Sequence, residues 1–449
     1  MQDGKREHLR GGGSLDRRAF LKTAGAAAAA AGGIEGILAA GRAPAHAQGT
    51  KLHLLRWNDF VPAADEALAK IVTDANKALG AQITLERINA NDLQPRITAA
   101  ISSGSGPDII HMLHNWPHLY EKSLADVSDV AEPIGKAEGG YYEACQAACK
   151  VGNVWRAVPH TIVPGQIAYR KSLFEEVGAK EFPKTWQEYR EVGKKLKAKG
   201  FPIGQTAGHT FGDAPGFWYA YLWSWGGQEL ARDGKTVAIA SKETLESVKF
   251  AVAFWKEACD EGGLAWDDSN NNRAFLSGTI SATLNGASIY VESLRNKDKY
   301  KTDKGALMHT DILHGAMPAG PAGRFHYHAG FHHAVMGYGK NQKLAKDLIK
   351  FLHKTENYEA WFTPQRGFSV GATNVWQKHK MWDQDPVMLP YKTAALSFRF
   401  FGYAGPPTAK ATEVYSKYII VDLYAKAIQG MKPEEAVAWA ESELKKIYA

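Results

Sequence analysis

Lys51-Leu52-His53-Leu54-Leu55-Arg56-Trp57 reads as a strand, and the segments after it decide the fold. A helix begins near Pro62 and carries Leu68, Ile71, Val72, Ala75 and Leu79 on one stripe. Gln82 to Ile88 is a second strand. Leu93, Ile97 and Ile101 mark a shorter helix, which Ser102-Ser103-Gly104-Ser105-Gly106-Pro107 breaks. Asp108-Ile109-Ile110-His111-Met112 is a third strand. Strand–helix–strand–helix–strand at this spacing predicts a parallel sheet with right-handed crossovers. In such sheets the ligand crevice lies beyond the carboxyl ends of the strands. The loops of interest are therefore Asn58-Asp59-Phe60, Asn89-Ala90-Asn91 and Leu113-His114-Asn115-Trp116.

The alternation continues toward the C-terminus. Gln166 to Arg170 is a strand, and Ser172-x-x-Glu175 has the form of a capping box closed by Gly178. Thr185-x-x-Glu188 caps another helix. Ser241 to Glu261 is a long helix with Leu245, Val248, Val252, Trp255 and Cys259 aligned, stopped by Gly262-Gly263. Next come a strand near Ser281 to Leu284, an extended stretch from Phe325 to Tyr338 and a helix through Leu344, Leu348, Phe351 and Leu352. The tail is a helix from Pro433 that buries Val437, Ala440, Leu444 and Ile447. With no linker and no internal repeat, two closely joined lobes are expected.

Toward the N-terminus the chain reads as an export address. Arg17-Arg18 stands before Phe20-Leu21-Lys22 and an Ala/Gly-rich run from Ala24 to Gly41, with Ala45-His46-Ala47 as a small-x-small cleavage site. Paired arginines before a weakly apolar core resemble the twin-arginine signal, so residues 1–47 are expected to be cleaved. The run is too poor in Leu and Ile for an anchor, and no later stretch approaches the ~18 apolar residues of a membrane span.

The chain has 449 residues, 45% hydrophobic and 22% charged, enough apolar material for two or three domains. Net charge is +7, but seven of the 54 Lys/Arg and four of the 47 Asp/Glu fall within residues 1–47, leaving the rest at +4. That balance argues against a nucleic-acid partner. Lys194-Lys195-Leu196-Lys197 reads as the solvated face of a helix. Three cysteines exclude a disulfide scaffold. Cys145 and Cys149, one helical turn apart, are read as free or packed thiols.

The order of segments resembles the extracellular solute-binding proteins of bacterial ABC importers, family 1, carbohydrate type, which include maltose-binding protein. The likeness is carried by Arg56-Trp57-Asn58-Asp59, by Ser103-Gly104-Ser105-Gly106-Pro107-Asp108-Ile109-Ile110 and by Gly152-Asn153-Val154-Trp155-Arg156-Ala157-Val158-Pro159. Tyr169-Arg170-Lys171-Ser172-Leu173-Phe174, Pro183-Lys184-Thr185-Trp186-Gln187-Glu188 and Phe275-Leu276-Ser277-Gly278 extend it. The resemblance implies an α/β, two-lobed periplasmic binding protein fold, each lobe a mostly parallel sheet flanked by helices. Lobe 1 is expected to hold 48–160 and about 333–365, and lobe 2 about 161–332 and 366–449. It also implies a soluble periplasmic monomer that captures a carbohydrate by hinge closure and delivers it to ABC importer permease subunits, without a cofactor. The histidine-rich Phe325-His326-Tyr327-His328-Ala329-Gly330-Phe331-His332-His333 departs from the family pattern.

A sugar offers hydroxyls at its edge and C–H groups on its faces, so its site needs planar polar side chains beside aromatic plates. Asn58, Asp59 and Phe60 follow strand one, and His114, Asn115 and Trp116 follow strand three. His160 sits where the first crossover is expected. Trp218 lies in the aromatic segment Phe217 to Trp225, and Asn285 follows a strand of the second lobe. Phe331 and His332 fall at the second crossover, with Arg366 and Tyr403 in loops beyond it. Each has a plainer reading: the tryptophans as core, Asp59 as a cap for the helix at Pro62.

A second class is an exported metal-dependent enzyme or a metal-ion binding protein, using His111, His114 and His118, or His326 and His328. Zinc sites usually add an acidic or thiolate ligand at tighter spacing. His-Glu-x-x-His and Gly-x-Ser-x-Gly do not occur, and Gly234-Lys235-Thr236 lacks the upstream glycine of a phosphate loop. Reversible capture without chemistry is the expectation.

Overall fold

The computed structural model describes residues 50–392, 396 and 398–449, apart from the His328 side chain. The export reading of residues 1–47 lies outside them.

β1 (Thr50–Trp57) pairs in parallel with β2 (Ala81–Ile88) and with β3 (Ile109–Leu113). The helix Pro62–Leu79 joins the first two strands and buries Leu68, Ile71, Val72 and Ala75. Gly80 ends it at φ 60°, a conformation that costs glycine little because it has no Cβ. The helix Ala90–Ser103 joins β2 to β3, and Asn89 caps it by accepting the Asn91 N–H at 2.9 Å. Asp59 accepts the N–H of Val61, but Val61 is the cap residue of the helix at Pro62 and supplies no side-chain bond.

The hairpin β4 (Lys150–Val151) and β5 (Val154–Trp155) precedes β6 (Val158–Pro164). Gly165 alone separates β6 from β7 (Gln166–Arg170), which starts the second sheet. There β7 lies between β8 (Ala282–Asn285) and β9 (Ile312–Gly315), antiparallel to both. Single parallel bridges from Ile203 to Ala282 and Cys259 widen it. The parallel character expected of both lobes is thus concentrated in the first, because β7 is flanked by strands that run back along it. The chain then returns through β10 (His328–Val335), antiparallel to β3 and β6, and adds β11 (Val370–Gly371). The first sheet has the order β11–β6–β10–β3–β1–β2. The strands cross at Gly165 and before His328, a few residues from the expected 160/161 and 332/333, and β11 lies in the first sheet although 366–449 was assigned to lobe 2.

Two separate apolar cores accompany the two sheets. Three local readings change. Ser172 does not cap its helix: Arg170 is the cap residue, and Ser172 donates through Oγ and its backbone N–H to Asp311. The long helix is Lys242–Ala258 and ends before Cys259. Lys197 donates to the carbonyls of Lys256 and Cys259, while Leu196 is fully buried. The Thr185–Glu188 capping box is present with both reciprocal bonds. Cys145, Cys149 and Cys259 are free and buried. Among the described residues, no helix is long and apolar enough to cross a membrane.

Candidate functional site

Where the two sheets face each other they leave a cavity that opens to solvent, with about 500 Å³ of empty space when the open mouth is included. Its first-lobe wall is aromatic. Trp57 ends β1, Phe60 stands on the next loop, and Phe331 comes from β10. Trp57 stacks on Phe331 at 4.7 Å and 18°, and Phe60 and Phe368 meet it at 5.7 and 6.3 Å. β1 and β10 are separated only by β3, so the sheet itself sets these rings side by side.

The opposite wall is polar. Asp213 opens the helix Asp213–Trp225, Asp268 lies just before the helix Asn270–Leu276, and Asn285 and Ser288 come at and just after the end of β8. Asp268 accepts the backbone N–H groups of Gly212 and Asp213 at 3.1 and 2.7 Å. Asp213 Oδ2 accepts from Asn271 Nδ2 at 2.6 Å and from Asn285 Nδ2 at 3.5 Å. Desolvation pushes the Asp213 carboxyl well above the ordinary range, and the neighbouring Asp268 adds to it. Burial raises Asp268 to about 6. Asn285 is positioned in turn: its Nδ2 donates to Asn272 at 2.6 Å and its Oδ1 accepts from Ser288 at 2.9 Å. Flat aromatic faces opposite planar acceptors and amides are what a polyhydroxylated ring can use.

Of the residues singled out in the sequence, Phe60, Asn285 and Phe331 line this cavity. Asn58 is exposed beside it, and Asp59 is buried beneath, held by Gln365 Nε2 at 2.9 Å and by Arg56 at 3.8 Å. Burial lifts the Asp59 carboxyl to about 6 against the pull of Arg56. His114 joins the lobes. Its ring bonds Tyr327 and, at 2.8 Å, the hydroxyl of Tyr415, and lies 3.2 Å from the Phe211 carbonyl. Burial takes its pKa down to about 3. Asn115 is buried in the same joint, donating to the Thr408 carbonyl at 3.5 Å.

The structure takes the remaining candidates away from the cavity. Trp116 is 2% exposed in the first core. Trp218 is fully buried in the second, stacked on Tyr424 at 4.6 Å. Tyr403 lies under the Arg399 guanidinium at 3.9 Å, and Arg366 lines a separate hollow with Trp382 and Asp385. His332 is buried behind the cavity wall with neither ring nitrogen bonded. His160 belongs to a buried histidine row on the first sheet. Its Nδ1 is 3.1 Å from His111 Nε2, and the ligating atoms of His111, His160 and His333 lie within 4.8 Å of one another. The fully buried guanidinium of Arg56 acts on all three, lowering their pKa values beyond the effect of burial. The first metal set drawn from sequence does not form, since His118 donates toward the Ala147 carbonyl and His114 is tied into the joint; in the second, the His328 side chain lies outside the described residues.

Sequence reasoning missed Phe211, Asp213, Asp268, Ser288, Tyr327 and Phe368. Trp57 reads in the sequence as the end of a strand and not as a ligand contact. The usable signal was Gly212-Asp213 at the start of an aromatic helix and Asp267-Asp268 ahead of three asparagines.

Three curated or solved relatives show the company this chain keeps. Diacetylchitobiose binding protein DasA of Streptomyces coelicolor is 26% identical over 155 residues, 33% of this chain and 36% of that protein. A probable amino-acid ABC transporter periplasmic-binding protein of Sinorhizobium fredii is 24% identical over 46% of this chain and 49% of its own. The alignments thus span between a third and a half of these curated relatives. Maltose-bound MalE3 of T. maritima superposes with a TM-score of 0.76 at 21% identity, over 88% of this chain and 99% of that one, a likeness of fold. Residues 70–390 match the family described as bacterial extracellular solute-binding protein. That match covers well over half of the sequence, and the chain belongs to the bacterial extracellular solute-binding proteins.

Proposed function

We propose that this protein is the solute receptor of an ABC importer, capturing a carbohydrate between its lobes and releasing it unchanged to the permease subunits. The observation that carries the reading is the cavity whose aromatic wall comes from one sheet and whose polar wall comes from the other. A ligand touching both walls holds the lobes together, which is how hinge closure stores a binding signal. The relatives named for diacetylchitobiose and maltose support a sugar, oligosaccharide or polyol as the solute. A monomer suffices, since one chain supplies both walls, and no nucleophile–base pair or cofactor is needed for capture.

A thermal-shift screen of sugars, polyols and amino acids, followed by calorimetry, tests the solute class. The expected result is one carbohydrate that raises the melting temperature. Phe60→Ala should weaken its binding about tenfold, the loss of roughly 1.4 kcal/mol of ring contact, with little change in apo stability because Phe60 is only half-buried. Stabilisation by amino acids alone would reject the carbohydrate reading.

Delivery to the periplasm is part of the same proposal. Arg17-Arg18 ahead of Phe20-Leu21-Lys22 supports recognition by the twin-arginine export machinery. Changing both arginines to lysine should leave precursor in the cytoplasm, and the mass of the exported protein should start at Gln48. Undiminished export of the double variant would reject that route.

A further inference from the structure

We infer that the cleft takes a protonated amine, carried on the carbohydrate of the proposed function and held by Asp213 and Asp268 against the aromatic wall. The inference rests on that reading for the sugar part alone.

The charge of the site comes first. Asp213 and Asp268 both line the cavity, and no Lys, Arg or His stands among its described lining residues. The donors onto the two carboxylates, the amides of Gly212, Asp213, Asn271 and Asn285 and the Thr210 hydroxyl, are all neutral. Asp213 Oδ1 accepts no hydrogen bond among the described residues, so one carboxylate oxygen is left for a ligand. The titratable groups that act on the pair from the surrounding segments are Asp267, Tyr327, Tyr391, Tyr415 and Tyr418. None of them brings positive charge. Two carboxylates sharing a water-poor space repel each other and lose hydration. A neutral sugar hydroxyl can donate to them, yet it leaves that charge uncompensated.

The second observation is the opposite wall. Trp57, Phe60, Phe331 and Phe368 line the same space, Trp57 stacked on Phe331 and Phe368 and Phe60 half-buried, and aromatic rings attract cations as well as sugar C–H groups. Trp57 is 2% exposed and its indole N–H has no partner, a donor that a ring or hydroxyl oxygen of the same ligand can meet. An ammonium beside hydroxyls on a saturated ring uses all of these groups.

The proton balance supplies the signature. Burial and the neighbouring Asp268 raise the Asp213 pKa, so the empty site holds a proton there to higher pH than a free carboxyl does, and an ammonium competes with that proton. Affinity for an amine therefore rises with pH until the amine itself deprotonates. A neutral sugar carries no such dependence on a displaced proton.

Calorimetry at pH 5, 6 and 7 tests this with matched sets: glucosamine, galactosamine and the β-1,4 glucosamine disaccharide, each beside its N-acetyl and hydroxyl counterparts, and 1,4-diaminobutane. We expect an amine member to bind at least tenfold more tightly than its counterparts, with affinity rising across the series. Asp213→Asn should abolish that preference and flatten the pH dependence. The wild-type pH series carries the test by itself should the variant fold poorly. A neutral or N-acetylated sugar as the tightest ligand, or no binding by any amine, overturns the inference and leaves the carbohydrate receptor standing. Binding of 1,4-diaminobutane with no sugar bound supports the cation site and rejects the carbohydrate reading.

Discussion

Trp116 shows what a single side chain's surroundings decide. It lies beyond β3 beside His114 and Asn115, where a sugar platform is expected, yet it is 2% exposed and packed in the first core. Trp116→Ala should cost about 3–5 kcal/mol of apo stability, the usual range for a buried large aromatic, and leave ligand affinity unchanged. Unfolding and calorimetry on the same variant check both halves. His353 is a second case. It is buried with neither ring nitrogen bonded, and burial lowers its pKa from 6.5 to about 4. The folded protein keeps it neutral while the unfolded chain takes up a proton below pH 6.5. Its contribution to stability is therefore intact above pH 6.5 and is lost as pH falls toward 4. In His353→Leu the stability slope between those limits should be shallower by up to about 1.4 kcal/mol per pH unit. An unchanged slope in urea melts at pH 4.5, 5.5 and 6.5 would reject this assignment.

Elements were legible where the signal was local. The Thr185–Glu188 box and the stripe Leu68, Ile71, Val72, Ala75 read correctly, because capping and helical periodicity need only neighbours in sequence. Ser172-x-x-Glu175 has the same local form and fails as a cap. Asp311, far away in sequence, takes the Ser172 hydroxyl and N–H at 2.7 Å each and also the Arg170 Nε at 2.7 Å. A carboxylate that satisfies a buried guanidinium outcompetes a local cap, since the unpaired charge is costly. Asp311→Ala should therefore destabilise by about 3 kcal/mol or more, whereas Asp303, the more exposed partner of Arg170 at 3.3 Å, should matter little when removed. Equal losses in the two variants would show that Asp311 is not the element's anchor.

At the scale of the molecule, the two lobes meet through Gly165, through the His114–Tyr415–Tyr327 joint and across the cavity. A ligand that bridges the walls stabilises the whole chain by mass action. At 100 times its dissociation constant it should add about 2.7 kcal/mol to the unfolding free energy. Small-angle scattering should show a smaller radius of gyration on adding it. An unchanged radius with full stabilisation would mean that capture does not close the lobes. Tyr415→Phe removes the hydroxyl that meets His114, and the radius of its free form should rise toward an open state.

The sequence by itself determined the α/β alternation, the parallel run of β1, β2 and β3 and the two-lobed order of segments, and it singled out Phe60, Asn285 and Phe331, which line the cavity. The alternation comes from periodicity and turn residues, Phe60 and Asn285 from the rule that ligands sit beyond strand ends, and the crossover position of Phe331 from the family resemblance. Only the tertiary structure decided which aromatic rings are wall and which are core, and it alone brought Asp213 and Asp268 together. Those two lie 55 residues apart, on separate helix starts, and nothing local marks them as partners. It also gathered His111, His160 and His333 into one buried row on three strands. Sheet order sets such meetings, because neighbouring strands are adjacent in space whatever their separation along the chain.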